Sequence, residues 1–153
     1  MITFFHGLES SSVSRKSTYL NENYEAWCPP MDYTQPELFN KVLNEVVQRK
    51  TSLLIGSSMG GWFAYCISTL TGIPTLLFNP ALQGRTIEPQ VQMGKKEANH
   101  ILILGEKDDI IKPEQTLTWI KHNGMGTFEH HFEDYGHRTP IDKFSYWVEK
   151  NPV

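Results

Sequence analysis

Short apolar segments alternate with helical patterns along most of the chain, and this alternation is the strongest restriction on the fold. Strands buried in a parallel sheet form short, nearly continuous apolar runs bounded by turn residues. Six segments fit that description: residues 2–5, 25–28, 52–55, 75–78, 101–104 and 127–132. The last segment is more polar than the others, so it is expected at an edge of the sheet.

Helical periodicity fills several of the gaps between these strands. Thr34 is expected to cap the first helix, with Glu37 at the capping-box position. A second helix is predicted from Met59, a third over residues 113–123 and a fourth from Thr139 onward. Alternating strands and helices predict a parallel sheet with helices on both faces and right-handed crossovers. Ligands of such sheets bind beyond the carboxyl ends of the strands.

The 153 residues, of which 39% are hydrophobic, suit a single α/β domain over residues 1–153. A formal net charge of −3 without blocks of like charge argues against nucleic acid or a membrane as partner, and for a small or neutral substrate. No segment has the length of a membrane span, and no basic signal-peptide region opens the chain, so a cytoplasmic location is expected. Cys28 and Cys66 are expected to be reduced thiols.

A Gly-Ser-Ser-Met-Gly pentapeptide at residues 56–60 lies between an apolar strand and an apolar helix. Its pattern, G-x-S-x-G, is typical of a sharp strand-to-helix turn that exposes the central serine above a sheet. The two glycines let the neighbouring backbone approach closely. Ser58 is therefore the candidate nucleophile, and the alternative is that its side chain only caps the helix that follows.

A serine hydroxyl needs a base within hydrogen-bond reach and a carboxylate that orients the base. When the serine lies on such a turn, the order along the chain is serine, acid and then histidine. Asp108 and Asp109 follow the fifth predicted strand, and His137 follows the sixth. Ser58, one of the two aspartates and His137 thus form a candidate catalytic triad.

The oxyanion of a tetrahedral intermediate needs a pair of backbone donors. The N–H of Met59, directly after the candidate nucleophile, is the first candidate. The second is the N–H of Leu8, because the loop after the first strand reads His6-Gly7-Leu8 and Gly7 lets the backbone turn its amides inward. The side chain of His6 is expected to be a structural hydrogen-bonding group rather than a catalyst.

With these residues the chain resembles the α/β-hydrolase superfamily and, within it, the small bacterial YqiA-like esterases. The resemblance covers most of the chain and is carried by five segments: residues 6–11, 56–61, 79–81, 105–111 and 136–137. It implies a triad of Ser58, Asp108 and His137, because the family's spacing from glycine favours Asp108 over Asp109. It also implies an oxyanion hole at Leu8 and Met59.

The fold implied by the resemblance is a reduced three-layer α/β sandwich, with six strands in the order 2-1-3-4-5-6 and little or no lid. The implied activity is hydrolysis of small carboxylic esters or acyl thioesters through an acyl-enzyme, without a cofactor. The chain departs from the family in the short segment after Asn79, where a lid would lie. It also departs at Tyr135, where a small residue is expected.

Two other functions remain open beside the serine esterase: a non-catalytic module that binds a small ligand or a partner protein, and an acyltransferase. The clustering of His130, His131, Asp134 and His137 suggests a metal site. However, adjacent residues on a strand face opposite sides of the sheet, so no metal is expected. Leu82, which lies beyond the fourth predicted strand, is the expected substrate-binding residue.

Overall fold

The computed structural model describes residues 1–152. In it, six parallel strands form one sheet, and five helices pack on the two faces of this sheet. In chain order the elements are β1 (Ile2–Phe5), α1 (Arg15–Asn23), β2 (Ala26–Trp27), α2 (Leu38–Gln48), β3 (Leu53–Ser57), α3 (Met59–Thr71), β4 (Thr75–Phe78), β5 (Asn99–Gly105), α4 (Pro113–Asn123), β6 (Thr127–Glu133) and α5 (Ile141–Lys150). The order across the sheet is β2-β1-β3-β4-β5-β6, with every neighbouring pair parallel. The predicted fold class and strand order are therefore confirmed, and β6 lies at an edge.

Two apolar layers, one on each face of the sheet, hold the helices in place. Successive residues of β1 contribute to opposite layers: Phe4 packs with α1 and α5, and Phe5 packs with α2 and α3. This alternation follows from the geometry of a strand, in which neighbouring side chains point to opposite faces. The central strands are consequently apolar on both sides, which is why they read as continuous hydrophobic runs.

The start of α2 differs from the prediction. Thr34 donates its backbone N–H and its hydroxyl to the Asp32 carboxylate, at 3.1 and 2.6 Å, so it belongs to a turn that precedes the helix. The helix begins at Leu38, and Glu37 makes no side-chain capping hydrogen bond. The predicted capping box of Thr34 and Glu37 is therefore wrong, because Asp32 competes for the threonine hydroxyl.

Helix α1 was not among the predicted helices. Only Ser17 and Leu20 of its nine residues are buried, so it lacks the apolar periodicity from which helices are recognised. Its start is fixed instead by a capping box in which Ser14 accepts from the backbone of Ser17 and Ser17 accepts from the backbone of Ser14. Because a serine stands in the place of the usual Glu or Gln, the sequence signal for this capping box is weak.

The connection between β4 and β5, where the sequence leaves room for a lid, contains no helix or strand in the structure. It lies against α3, where Thr69 accepts hydrogen bonds from the backbone of Gly94 and Lys96 at 2.9 and 2.8 Å. Thr69 itself is fully buried. The connection is thus tied to the core along its second half.

Within residues 1–152, no helix combines the length and the apolar character that crossing a bilayer requires. Cys28 and Cys66 are both free thiols. Burial raises the pKa of the Cys28 thiol to about 11 and raises the pKa of the Cys66 thiol further. Neither thiol is therefore ionised near neutral pH.

Candidate active site

Ser58 lies on the turn between β3 and α3 in a strained backbone conformation, with φ 54° and ψ −117°. Such a conformation costs roughly 1–3 kcal/mol in a residue other than glycine and persists only where the surroundings enforce it. A Cβ atom built on Gly60 would lie 2.0 Å from the carbonyl oxygen of Phe5, so the turn can pack against β1 only with glycine there. The Ser58 side chain makes no capping hydrogen bond, which argues against the helix-cap alternative.

The structure brings Ser58, His137 and Asp108 into one chain of hydrogen bonds. His137 Nε2 lies 3.0 Å from Ser58 Oγ, and His137 Nδ1 lies 2.8 Å from Asp108 Oδ2. An ionised carboxylate can only accept, so Nδ1 carries the proton and Nε2 is free to accept the serine hydroxyl proton. In this arrangement the imidazole can take up that proton when the serine attacks a carbonyl carbon.

The Asp108 carboxylate is held on its other side by the backbone of the same loop. Its Oδ1 accepts from the N–H groups of Ile110 and Ile111, at 3.0 and 2.9 Å. The side chain has no solvent exposure, whereas the neighbouring Asp109 is exposed. Of the two aspartates weighed from the sequence, Asp108 is the one that reaches the imidazole.

Asn79 connects the loop of the histidine to the sheet, a role that the sequence did not reveal. Its side-chain amide donates to the carbonyl oxygens of Gly136 and His137, at 3.0 and 2.8 Å, and its Oδ1 accepts from Gly105 N–H at 2.7 Å. It is buried and has a positive φ of 43°. Asn79 thus fixes the backbone of His137. In the sequence it stands out only as a polar residue directly after a buried strand and as part of segment 79–81, which carries the resemblance.

The unexpected Tyr135 is part of the core. It is 6% exposed, packs in the apolar layer that contains Phe144, and accepts a hydrogen bond from the Thr139 hydroxyl at 3.3 Å. Its backbone carbonyl accepts from Lys107 N–H at 3.1 Å. Through these side-chain and backbone contacts, Tyr135 anchors the loop that carries His137.

The two predicted oxyanion donors belong to residues near Ser58. Met59 is the first residue of α3, so its N–H has no partner within the helix. Leu8 and Met59 line the same cavity as Ser58. A Cβ atom built on Gly7 would lie 3.3 Å from the Cβ of Ser58, so the loop after β1 passes close to the serine.

His6 holds this loop in a defined orientation. Its Nε2 accepts from Met31 N–H at 3.1 Å, so its Nδ1 carries the proton and donates to the carbonyl oxygen of Gly7 at 2.7 Å. In a trans peptide the C=O and N–H groups point in opposite directions. The Leu8 N–H therefore points away from the His6 ring, while Tyr33 donates its hydroxyl proton to the carbonyl oxygen of His6.

A cavity of about 620 Å³ opens above Ser58. Apolar side chains contribute to its wall, among them Leu8, Ile110 and Ile141. Leu82, the predicted substrate-binding residue, does not line it and is fully buried in the core. The prediction for Leu82 placed the side chain one position too far along the chain, since the adjacent Ala81 does line the cavity.

The histidines of β6 do not converge on a metal site. His131 contacts Glu129 at 2.5 Å and stacks on Trp147, with ring centroids 4.4 Å apart. His130 is exposed and contacts Phe132 instead. In the part of the chain that the structure covers, no group of three or more His, Cys, Asp or Glu side chains is arranged to bind a metal ion.

Comparison with known proteins identifies the relatives of the chain. The model of an uncharacterised protein family, UPF0227, matches residues 1–123. None of the curated proteins compared with the chain matches it significantly.

Solved structures show the same architecture at low sequence identity. A monoacylglycerol lipase from Paleococcus ferrophilus has a TM-score of 0.71 at 14% identity, covering 97% of this chain and 92% of its own. An α/β serine hydrolase homologue from Coxiella burnetii has a TM-score of 0.69 at 11% identity, with coverages of 99% and 85%. An α/β serine hydrolase without a lid from Xanthomonas campestris has a TM-score of 0.58 at 17% identity, with coverages of 97% and 81%. At these identities the likeness shows the α/β-hydrolase fold.

Proposed function

The chain belongs to the uncharacterised protein family UPF0227, and we propose that it is a serine hydrolase of small carboxylic esters or acyl thioesters. The observation that carries this proposal is the pair of contacts on the His137 ring, 3.0 Å to Ser58 and 2.8 Å to Asp108. A strained turn presents that serine to an open cavity. These are the parts that acyl transfer through a serine nucleophile requires.

In the acylation step, Ser58 Oγ attacks the carbonyl carbon of the substrate while His137 Nε2 takes up the hydroxyl proton. Asp108 holds the imidazole in the required tautomer and stabilises its positive charge. The buried carboxylate can do so because two backbone N–H groups keep it in place. When the tetrahedral intermediate collapses, His137 gives the proton to the leaving alcohol or thiol.

The negative oxygen of the tetrahedral intermediate would be stabilised by the N–H groups of Leu8 and Met59. Each such donor contributes roughly 3–4 kcal/mol to the transition state in serine hydrolases. His6 acts only through the backbone, because both of its ring nitrogens already have partners in Met31 and Gly7. It is therefore a positioning residue.

Deacylation would use the same groups in reverse. Water enters the cavity, His137 takes up one of its protons, and the resulting hydroxide attacks the acyl-enzyme carbonyl. Collapse of the second intermediate returns the proton to Ser58 Oγ and releases the carboxylic acid. None of these steps needs a cofactor, and the proposed substrate is a small molecule rather than a nucleic acid or a membrane.

The names of the solved relatives support this proposal without deciding the substrate. One of them is a serine hydrolase without a lid and another a monoacylglycerol lipase. Because folds host many functions, the proposal depends on the site of this chain rather than on those names. The short connection after Asn79 fits a site without a lid.

The test is a reaction with p-nitrophenyl butyrate and with a fluorophosphonate. We expect a burst of p-nitrophenol equal to the enzyme concentration and a fluorophosphonate adduct on Ser58, found by mass spectrometry of the peptide. Ser58→Ala should lower kcat by a factor on the order of 10⁴ to 10⁶. Ser145→Ala, on α5, should retain full activity.

Absence of both the burst and the adduct would overturn the proposed function. An adduct on Ser58 without turnover of any ester would favour a non-catalytic binding module. Transfer of the acyl group to an added alcohol in preference to water would favour an acyltransferase.

A further inference from the structure

The cavity above Ser58 has a charge opposite to that of the whole chain. Four cationic side chains and one acidic side chain, Glu9, contribute to its wall, and the cations are Arg15, Lys16, Arg85 and Arg138. The chain as a whole has a formal net charge of −3. The excess of positive charge is therefore a local property of the cavity and does not follow from the overall composition.

Arg85 is explained by the fold. Its guanidinium donates to the carbonyl oxygens of Ala81 and Leu82, at 2.9 and 2.6 Å, and pairs with Glu88 at 3.1 Å. It also stacks over the Trp62 ring at 4.0 Å from the centroid. With its donors occupied and its charge compensated, Arg85 fastens the connection after β4 to α3.

Within residues 1–152, Lys16 has no such partner. It is half-buried, and among the described residues it takes part in none of the ion pairs. Its ammonium nitrogen lies over the Phe144 ring, 5.6 Å from the ring centroid. Burial, and secondarily the positive charge of Arg138, lower the pKa of Lys16 to about 8. A charge withdrawn from water without a counter-ion destabilises the folded chain.

The helix that carries Lys16 does not compensate its charge either. Arg15 and Lys16 lie in the first turn of α1, and this turn contains no acidic residue. The amino end of a helix has a partial positive charge, so cations there are unfavourable. The position of these two cations thus contradicts the usual preference for acidic residues in the first turn.

Arg138 directly follows His137 and is close enough to Lys16 for its positive charge to lower the pKa of that lysine. Its only ion-pair partner in residues 1–152 is Glu9, at 3.8 Å, and more than four-fifths of both side chains is exposed. Exposed pairs at such a distance contribute little. The Arg138 guanidinium is therefore free to turn toward an anion at the cavity without losing a strong interaction.

We propose that Lys16 and Arg138 form an anion-binding subsite in the cavity of Ser58, and that the preferred substrate is an ester or thioester carrying a carboxylate or phosphate. This proposal rests on the proposed hydrolase activity and names its substrate class. The anionic group would neutralise both cations, and the apolar wall around Leu8, Ile110 and Ile141 would receive the hydrocarbon part. The inference replaces the neutral substrate that the net charge alone suggested.

The anion can belong to either half of the substrate, and two matched pairs distinguish the halves. In the first pair, the acyl group differs: p-nitrophenyl hydrogen glutarate carries a free carboxylate, and p-nitrophenyl methyl glutarate does not. In the second pair, the leaving thiol differs: butyryl-coenzyme A carries phosphates, and butyryl-N-acetylcysteamine does not. The measured quantity is kcat/KM for each of the four substrates.

For the wild type we expect the anionic member of one pair to be preferred by about tenfold or more. Lys16→Met, whose side chain has a similar length, should remove most of that preference by lowering kcat/KM for the anionic member far more than for the neutral member. Arg138→Gln should have the same effect and provides a second variant should Lys16→Met fold poorly. Lys121→Met, on the exposed surface of α4, is the matched control and should retain the preference.

Equal kcat/KM values within both pairs would overturn the subsite while leaving the hydrolase activity in place. An equal loss on neutral and anionic substrates in Lys16→Met would also overturn it, because a structural lysine affects both alike. Failure to hydrolyse any of the four substrates, with no adduct on Ser58, would overturn the proposed function and the subsite together.

Discussion

The two ends of the parallel sheet contain buried polar groups of similar kinds, but these groups are arranged differently. At the amino end, His100 lies between Thr75, at 2.9 Å, and the carbonyl oxygen of Met125, at 3.0 Å. The hydroxyl groups of Thr3 and Thr51 also pair with each other, at 2.7 Å. Every one of these groups has a protein partner, and none of them lines the cavity of Ser58.

At the carboxyl end, the Ser58 hydroxyl is partnered on one side only. Ser58 contacts His137 behind it, and its remaining environment is the cavity. Two of the three non-glycine residues with positive φ in the described chain, Ser58 and Asn79, directly follow strands here, whereas the third, Lys50, lies before β3. At Ser58 the strained backbone presents a hydroxyl to open space, as expected when strain serves a site.

The polar groups at the amino end of the sheet thus contribute to the stability of the fold, and those at the carboxyl end are placed to act on a ligand. A closed hydrogen-bond network at one end strengthens the fold, because each buried polar group is satisfied. An open network at the other end presents groups to a ligand at the cost of strain. Substitutions at the carboxyl end should therefore change activity, and substitutions at the amino end should change the free energy of unfolding.

The largest effect is expected for Asp108→Asn. The asparagine oxygen can still accept from Ile110 and Ile111, so the melting temperature should stay near that of the wild type. Without a carboxylate on Nδ1, the imidazole loses its required tautomer, and kcat for a p-nitrophenyl ester should fall by about 10⁴-fold. The matched variant is Asp109→Asn, at the exposed neighbour, which should retain kcat; equal losses in both would contradict the assignment.

A smaller effect is expected for His6→Phe. The phenyl ring keeps the volume but cannot hold the Gly7 carbonyl, so the Leu8 N–H loses its fixed direction. Loss of one oxyanion donor lowers kcat by about 10²- to 10³-fold, with little change in KM. His130→Phe, on the exposed edge strand, serves as the control. A change in KM alone would show that the loop binds substrate rather than the transition state.

The third effect concerns the amino end and the free energy of unfolding. Burial lowers the pKa of His100 to about 4 from its usual 6.5, so the folded chain keeps the ring neutral where the unfolded chain takes up a proton. The folded state is therefore destabilised as the pH falls from 6.5 to about 4, by up to about 3 kcal/mol. The slope of the free energy of unfolding against pH should be measured by urea denaturation at several pH values.

His100→Gln keeps a donor and an acceptor but cannot be protonated, so this variant should lose that part of the slope. His122→Gln, at an exposed position of α4, should keep the slope of the wild type. An unchanged slope in His100→Gln would show that the hydrogen-bonded network at the amino end contributes nothing to the pH dependence.

Most of the strands could be predicted because the interior of a parallel sheet demands apolar residues on both faces. β1 and β4 have the predicted bounds, and the other four differ by one or two residues at their ends. Helix α1 could not be predicted in the same way, since only Ser17 and Leu20 of its nine residues are buried. Hydrophobic periodicity identifies an element only where that element is buried.

The candidate site could be predicted in part. The order of Ser58, Asp108 and His137 along the chain indicated which side chains might meet, and the choice between adjacent aspartates needed the resemblance. Asn79 and Lys16 were not recognised, because their roles depend on which atoms face them rather than on any local pattern. Leu82 was misplaced for the same reason, since the path of the backbone after β4 turns it into the core.

The sequence by itself determined the layered parallel sheet, the strained turn at Ser58 and the loops on which an acid and a base would follow. Those features depend on local composition and on periodicity, which short-range geometry dictates. Only the tertiary structure decided which atoms lie within hydrogen-bond reach of one another, and which cations lack an ion-pair partner among the described residues. Distances and counter-charges arise from residues far apart in the chain, so packing alone places a proton acceptor in front of a buried carboxylate and brings the Lys16 ammonium to the same cavity.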